Sequence, residues 1–449
     1  MKIKSENHTT LINNKVATNA TWIIACRVVQ ALLQFVVGML TARYLGPSNY
    51  GIINYAASLV AFVVPIMHLG INNILVQELV DYPEEEGKIL GTSLVLCLAS
   101  SFACIIGVTA FAAVANPNEP ITIVICFLYS ITLLFQALEL LRYWYQAKLI
   151  AKYHSIISLF AYIAVSAYRI VLLALQKDVY WFAISNSIDY FFISAGIHFL
   201  YYKRGGAHLQ FSKNVGKRLL SKSKHYIVSG LMVTIFAQTD KIMLKLMLDE
   251  TATGLYSAAV TCAGITTFVF TAIIDSFRPV IFESLKMSKS EFELNMKRLY
   301  SIIIYVSLSQ SVLMCICADT MIKLLNGSQY LASISALQII VWYTTFSYLG
   351  SVRNIWILAN NKQKYLWMIN LSGALANVVL NMVFIPRIGL NGAALASLIT
   401  QIFTNIIVGY IISPIRENNR LMIESLSPGV LLEVIKTLKS SLYMKNKRE

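Results

Sequence analysis

The chain has 449 residues, of which 57% are hydrophobic and 13% are charged, and its formal net charge is +15. A soluble domain carries about 25% charged residues, so this composition excludes a water-soluble enzyme and indicates an integral membrane protein. The lysines and arginines stand in short segments between apolar runs, which is the pattern of loops on the inner side of a membrane. We therefore expect no nucleic-acid partner.

Twelve apolar stretches are each long enough to cross a bilayer as a helix, which takes about 20 residues. The first has no small-residue cleavage site, so it is predicted to be a transmembrane helix and not a removed signal. In chain order the stretches lie near 19–42, 50–75, 90–114, 119–141, 154–176, 179–202, 224–248, 254–277, 299–322, 332–358, 365–386 and 391–413. The sequence therefore predicts an all-α membrane fold.

A basic segment at 203–223 separates the first six predicted spans from the last six. We predict two six-helix bundles, over 1–210 and 211–413, related by a pseudo-two-fold axis along the membrane normal. Segments 45–52 and 248–255 support this weakly, since each follows the first span of its six-helix half and the two segments have a glycine at the same position. Residues 414–449 are predicted to form a tail with an amphipathic helix, because apolar residues recur at helical spacing from Val430.

The distribution of basic residues orients the predicted spans. With the N-terminus inside, the inner loops and the C-terminal tail hold most of the lysines and arginines. The outer loops then hold only Arg43, Lys177, Lys323 and Arg387. This asymmetry predicts that both termini are cytoplasmic.

Charged side chains inside spans are costly, so they are candidates for function. Arg27 lies in the first span, and Gln30 and Gln34 follow it on the same helical face. Because basic residues outnumber acids in the spans and a guanidinium suits phosphate, we predict a cationic cavity that binds an anion. The predicted substrate-binding residues are Arg27, Gln30, Gln34, Arg169, Lys241, Arg278 and Arg353.

Two acids in the spans, Asp189 and Asp240, are candidates for coupling transport to protons or sodium. Structural interpretations compete at several positions. Arg278 can pair with Asp275 near a helix end, Lys245 and Arg353 can extend to the membrane interface, and Glu139 with Arg142 is interpreted as a structural pair. These alternatives stay open at the level of sequence.

The sequence contains no P-loop, no HExxH motif and no cysteine and histidine cluster with metal spacing. We therefore predict no catalytic residue, no cofactor and no metal. Nor is an ATPase domain recognisable, so any transport is expected to use a gradient.

Three segments resemble Wzx-type O-antigen or capsule repeat-unit flippases of the multidrug/oligosaccharidyl-lipid/polysaccharide superfamily. They are Ala42–Ile52, Asp240–Leu244 followed by Gly254–Ala259, and Gly389–Ala396. The resemblance implies a bacterial inner-membrane protein that moves undecaprenyl-pyrophosphate-linked oligosaccharide from the cytoplasmic to the periplasmic leaflet by alternating access. It also implies contact with membrane lipid, and association with the polymerase and chain-length machinery is a further expectation. Arg27 lies where such proteins commonly carry a basic residue.

Two other functions remain alternatives. A drug or cation antiporter of the same superfamily is expected to have acids in its cavity, which the excess of basic residues disfavours. A membrane-embedded polysaccharide polymerase is expected to have a large outer loop, and the predicted outer loops are all short.

Overall fold

The computed structural model describes residues 2–429, with side chains from Cys26 onward. The tail helix predicted from Val430 lies outside these residues. Within them every regular element is helical, which confirms the predicted all-α class. The α-helices are α1 (Lys2–Met67), α2 (Leu75–Asp81), α3 (Glu86–Ala115), α4 (Pro120–Ser130), α5 (Thr132–Leu138), α6 (Arg142–Ala147), α7 (Lys152–Ala174), α8 (Val179–Lys203), α9 (Lys213–Met247), α10 (Glu250–Ala263), α11 (Thr267–Met287), α12 (Lys289–Leu325), α13 (Ile334–Ala359), α14 (Leu366–Ile388), α15 (Leu390–Ile402), α16 (Val408–Ile411) and α17 (Arg416–Glu424).

The turn predicted between the first two spans is a single-residue break inside α1. Gly46 has φ 73° and ψ 170°, a backbone conformation that side chains disfavour. Pro47 follows as the first residue of the next helical stretch, where its fixed φ fits and its missing N–H costs nothing. The Gly-Pro pair thus ends one helical stretch and begins another without a loop.

Nine helical segments in the described part of the chain are long and apolar enough to cross a membrane, so the protein is a multi-pass membrane protein. The first of them, Cys26–Met67, covers two predicted spans. Helices α8 and α13 also match predicted spans but are not among the nine, and α8 carries polar residues such as Asn186 and Asp189 that lower its hydropathy. The number twelve and the two-bundle layout remain predictions.

The helices form two compact units, Met1–Gly254 and Leu255–Glu449. The sequence places the boundary at 210/211 instead, which would put α9 in the second bundle. In the structure α9 packs on α1 and α3 of the N-terminal unit. The predicted division into repeats stays a prediction, because a helix can belong to one repeat and pack on the other.

The short helix α17 packs on α12 and α16 in the C-terminal unit. The Tyr300 hydroxyl of α12 donates to Asn418 Oδ1 at 2.8 Å, and Asn419 Nδ2 donates to the Ile406 carbonyl at 2.6 Å. Lys289 Nζ lies 2.7 Å from Glu417 Oε1. The hydrogen bond from Lys289 holds the pKa of Glu417 below its usual value. The stabilisation from this pair is therefore present at neutral pH and is lost as the pH falls through that lowered pKa.

Replacing Asn418 by alanine is expected to lower the free energy of unfolding by about 1–3 kcal/mol, because it removes the acceptor of a buried hydroxyl. The thermal unfolding midpoint in detergent measures the loss. Arg420→Ala is the matched control on the exposed face of the same helix, since the Arg420 side chain is 57% exposed. Equal midpoints for the two variants would contradict the importance of this contact.

Candidate functional site

A polar cavity of about 450 Å³ lies inside the N-terminal unit. Its walls come from α1, α4, α5, α6, α7 and α8 and from the 3-10 turn Glu139–Leu141. Four residues predicted from the sequence line it: Gln30, Gln34, Arg169 and Asp189. Other polar side chains on its wall include Tyr129, Gln136, Glu139, Arg142, Tyr162 and Asn186. A set of amides, phenols and charges of both signs can bind a polar ligand within an otherwise apolar helical unit.

Helix α8 positions the guanidinium of Arg169. Its Nε donates to Ser185 Oγ and its Nη2 donates to Asn186 Oδ1, both at 2.9 Å. These acceptors are neutral, so neither cancels the positive charge. Asp189 lies one turn further along α8, and its Oδ1 is buried and has no hydrogen-bond partner among the described residues. The acid and the arginine are thus neighbours on one wall of the cavity.

A second charged group lies where the helix is interrupted between α5 and α6. Residues Glu139–Leu141 form a 3-10 turn, and Glu139 Oε1 contacts Arg142 Nη1 at 3.1 Å and His154 Nε2 at 3.0 Å. Arg142 Nη2 also donates to the Tyr143 hydroxyl at 2.8 Å. The predicted Glu139–Arg142 pair is present. However, both residues line the cavity, and His154 is a partner that sequence analysis did not identify.

Arg27 lines a separate, smaller pocket of about 260 Å³. Arg142 and His154 line this pocket too, and of the charged residues whose side chains the structure describes, Arg142 alone borders both spaces. The three residues predicted to share one helical face therefore line different pockets. Arg27 lines the smaller pocket, and Gln30 and Gln34 line the larger cavity. Two pockets that share the wall residue Arg142 can hold two parts of one long ligand.

The charges of the larger cavity balance. Arg142 and Arg169 face Glu139 and Asp189, so the formal charges of the lining residues sum to zero, and Arg27 adds a formal positive charge only in the smaller pocket. The predicted excess of positive charge is thus absent from this cavity of the N-terminal unit. A cationic cavity between the two halves of the chain remains a prediction.

The other predicted site residues do not line either of these pockets. Asp240 is buried in α9, beside Lys241. In the C-terminal unit, Arg353 is buried and its Nη1 donates to the Thr404 carbonyl at 2.8 Å, within the π-helical turn Phe403–Ile407. Arg278 is exposed, and its Nη2 lies 3.0 Å from Asp275 Oδ1, as the structural interpretation expects.

Among the described residues, no group of three or more histidines, cysteines and acids is arranged to hold a metal ion. Of the charged groups of the cavity, Glu139 pairs with Arg142 and Arg169 bonds neutral side chains, whereas Asp189 Oδ1 is left without a hydrogen-bond partner among the described residues. This arrangement suits reversible binding of a polar molecule through hydrogen bonds.

The sequence matches the family described as "Polysaccharide biosynthesis protein" over residues 16–285, which is more than half of the chain. The chain belongs to this polysaccharide biosynthesis family. The match includes the entire cavity-forming part of the N-terminal unit. No curated protein sequence matches the chain at a significant level.

Solved structures with the same fold are membrane transporters. The lipid II flippase MurJ in an inward closed conformation aligns with a TM-score of 0.69 at 13% identity, covering 95% of this chain and 99% of its own. An inward-facing multidrug resistance MATE transporter of the MOP superfamily aligns at 0.65 and 12% identity, covering 86% and 96%. The eukaryotic MATE transporter AtDTX14 aligns at 0.62 and 11%, covering 92% and 98%. At these identities the likeness shows the fold alone, and the recognition of the polysaccharide biosynthesis family rests on the sequence match over residues 16–285.

Proposed function

We propose that this member of the polysaccharide biosynthesis family is a flippase for undecaprenyl-pyrophosphate-linked oligosaccharides. It moves the repeat units of O-antigen or capsule from the cytoplasmic to the periplasmic leaflet by alternating access. The observation that carries the proposal is the polar cavity of about 450 Å³ inside the N-terminal unit, in a chain that belongs to the polysaccharide biosynthesis family. Sugars and a diphosphate need a polar cavity to cross the hydrocarbon core of the membrane, whereas the polyprenyl tail can stay in lipid.

The charges on the cargo supply a driving force. With the cell interior negative, outward movement of an anion releases about 2.3 kcal/mol per charge for each 100 mV. Arg27, Arg142 and Arg169 are the groups we assign to the diphosphate and its sugars, together with Gln30 and Gln34. Lys241, Arg278 and Arg353 stay in the proposal as further substrate contacts, and Asp189 and Asp240 as groups that couple transport to an ion.

A drug or cation antiporter is the second candidate, because MATE transporters share the fold and two acids line the cavity. The family match favours the polysaccharide pathway. The two candidate functions differ in cargo, so the location of lipid-linked oligosaccharide in a deletion strain separates them. It accumulates on the cytoplasmic leaflet if the protein is its flippase and not if the protein is a drug or cation antiporter. A membrane-embedded polymerase is a third candidate, and it differs in acting after translocation.

Deletion of the gene is expected to leave lipid-linked repeat units on the cytoplasmic leaflet, and re-expression of the wild type is expected to clear them. Arg27→Ala, present in the membrane at the wild-type level, is expected to clear them more slowly. Repeats that reach the periplasmic leaflet unpolymerised would indicate a polymerase. A strain in which no lipid-linked repeat accumulates would contradict the proposed cargo.

We further propose an inner-membrane location with both termini cytoplasmic. A fluorescent protein fused after Glu449 is expected to fluoresce, and alkaline phosphatase fused at the same point is expected to be inactive, because each reports the cytoplasm. Phosphatase inserted beside Gly327, in a predicted outer loop, is the matched control and is expected to be active. Active phosphatase after Glu449 would place the C-terminus in the periplasm and would refute the predicted topology.

A further inference from the structure

A further open cavity of about 450 Å³ lies where three connections of the N-terminal unit meet. They are the turn before α3, the connection between α6 and α7, and the segment after α8. All three belong to loops that the sequence predicts on the inner side of the membrane. This cavity, which we call the loop pocket, shares no lining residue with the larger polar cavity or with the Arg27 pocket. It is therefore a separate candidate site.

Glu86 joins the three connections into one wall. Its Oε1 accepts hydrogen bonds from Trp144 Nε1 at 2.7 Å and from the Ala207 amide at 3.4 Å. Its Oε2 lies 2.8 Å from Lys148 Nζ, and its side chain is only 12% exposed. The charges of Glu86 and Lys148 thus compensate each other, and these contacts fix the walls of the loop pocket without a ligand.

Two opposite charges remain on the wall of the loop pocket. Glu84 and Arg204 both line it, and both are exposed. Within the described part of the chain, neither side chain takes part in an ion pair. The Arg204 guanidinium lies 4.2 Å from the centre of the Tyr153 ring, a contact that orients it through its face and leaves its N–H donors for a ligand. The loop pocket therefore offers one anionic and one cationic group to a molecule that carries both charges.

Aromatic side chains around the loop pocket indicate that it lies at the level of the lipid headgroups. The rings of Trp144 and Tyr201 meet edge to face with their centres 5.0 Å apart, and Tyr202 is 53% exposed. Tryptophan and tyrosine are enriched at the interface between membrane and water. Leu149, in the connection between α6 and α7, is 52% exposed and adds an apolar side chain beside the pocket. A ligand here can keep acyl chains in lipid while its headgroup enters the pocket.

We propose that the loop pocket binds the headgroup of a zwitterionic ethanolamine phospholipid, with the phosphate on Arg204 and the ammonium on Glu84. A planar guanidinium donates two parallel hydrogen bonds to a phosphate, and a primary ammonium has three donors for a carboxylate. An anionic phospholipid such as phosphatidylglycerol can still meet Arg204. However, it has no cation for Glu84, whose charge repels it.

The proposed lipid would hold the segment after α8 at the membrane surface, because Arg204 begins that segment and Ala207 continues the pocket wall. The loop pocket is distinct from the cavities assigned to the cargo. The inference therefore stands or falls independently of the proposed flippase function.

The test is native mass spectrometry of the purified full-length protein, titrated with dioleoyl phosphatidylethanolamine and with dioleoyl phosphatidylglycerol, which have the same acyl chains. The wild type is expected to bind the first ethanolamine lipid at least about tenfold more tightly, as about one added hydrogen bond between charged groups would give. Glu84→Gln is expected to weaken binding of the ethanolamine lipid about tenfold and to leave phosphatidylglycerol unchanged or tighter. Arg204→Met is expected to weaken both lipids about tenfold.

Asp81→Asn and Lys203→Met are the matched controls, since both remove an exposed charge near these residues in the chain but outside the pocket lining. They are expected to bind both lipids as the wild type does. Arg204→Lys keeps the charge and is expected to keep the preference for the ethanolamine lipid.

Equal wild-type affinities for the two lipids would overturn the proposal, as would equal losses in the pocket variants and their controls. Soluble glycerophosphoethanolamine has the same headgroup without acyl chains, and at the concentration of the lipid it is expected not to displace it. Displacement by this soluble compound would overturn the assignment of the loop pocket to a lipid.

Discussion

Replacing Gly51 by alanine is expected to destabilise the protein by about 1–3 kcal/mol or more, as overpacking of a close contact does. The added Cβ would lie 1.8 Å from the carbonyl oxygen of Glu250 and 2.9 Å from the amide nitrogen of Gly254. Both are backbone atoms, which cannot move aside as a flexible side chain can. The measurements are the thermal unfolding midpoint in detergent and the amount of protein in the membrane.

Gly38 offers a matched control in the same helix, since a Cβ there would have no atom within 4 Å. Gly38→Ala is expected to leave the midpoint unchanged or to raise it, because alanine favours helix over glycine by up to about 1 kcal/mol. Similar losses for Gly38→Ala and Gly51→Ala would show that helix α1 responds to any added methyl group and would refute the close contact.

Gly254→Ala is expected to destabilise the protein to a similar extent, because its Cβ would lie 1.9 Å from the Pro47 carbonyl oxygen. Gly51 and Gly254 occupy equivalent positions in the weak internal repeat, and the two glycines pack against each other's backbone. Their effects should therefore be less than additive in the double variant, since one contact is lost in both cases. Additive losses would indicate two independent contacts.

Replacing Arg169 by methionine is expected to slow clearance of lipid-linked repeats by at least about thirtyfold, which corresponds to about 2 kcal/mol of lost interaction. The guanidinium lines the cavity and is held by neutral acceptors, Ser185 and Asn186. Asp189 lies beside it on the same wall, so an anionic ligand would compete with that carboxylate for the guanidinium. Methionine has a similar length without the charge. The measurement is the clearance rate in cells, normalised to the protein present in the membrane.

Two further variants define what Arg169 supplies. Arg169→Lys is expected to retain part of the activity, because it keeps the charge but loses the planar set of donors. Arg387→Met, which removes an exposed arginine remote from the cavity in the chain, is expected to behave as wild type. Full activity of Arg169→Met would remove Arg169 from the substrate site.

The sequence predicts well the features that depend on local pattern. Apolar stretches predict the helices, and the gap between the first two predicted spans, 19–42 and 50–75, predicts a turn where the structure breaks α1 at Gly46. Gln30 and Gln34 share a helical face by spacing alone. Their meeting with Arg169 and Asp189 in one cavity agrees with the idea that costly polar residues inside spans face a common interior.

Features that depend on packing between distant helices could not be predicted. The partnership of His154 with Glu139 joins α7 to the turn after α5, and no spacing in the sequence links them. Lys245 has the position of an interfacial lysine, yet Glu119 encloses it from 126 residues away. Arg353 likewise reads as a residue that could reach the interface, but it is buried against the π-helical turn of the C-terminal unit.

The central claim is that this protein moves a lipid-linked oligosaccharide between leaflets. The most direct measurement reconstitutes the purified protein in liposomes that contain fluorescently labelled undecaprenyl-pyrophosphate-linked repeat, and follows how much label an added, membrane-impermeant quencher can reach. Wild-type protein is expected to make nearly all of the label accessible over time, whereas empty liposomes keep about half protected and Arg169→Met liposomes expose the protected half at least about thirtyfold more slowly. If wild-type and empty liposomes protect the label equally, the protein does not translocate this lipid and the proposed function is wrong.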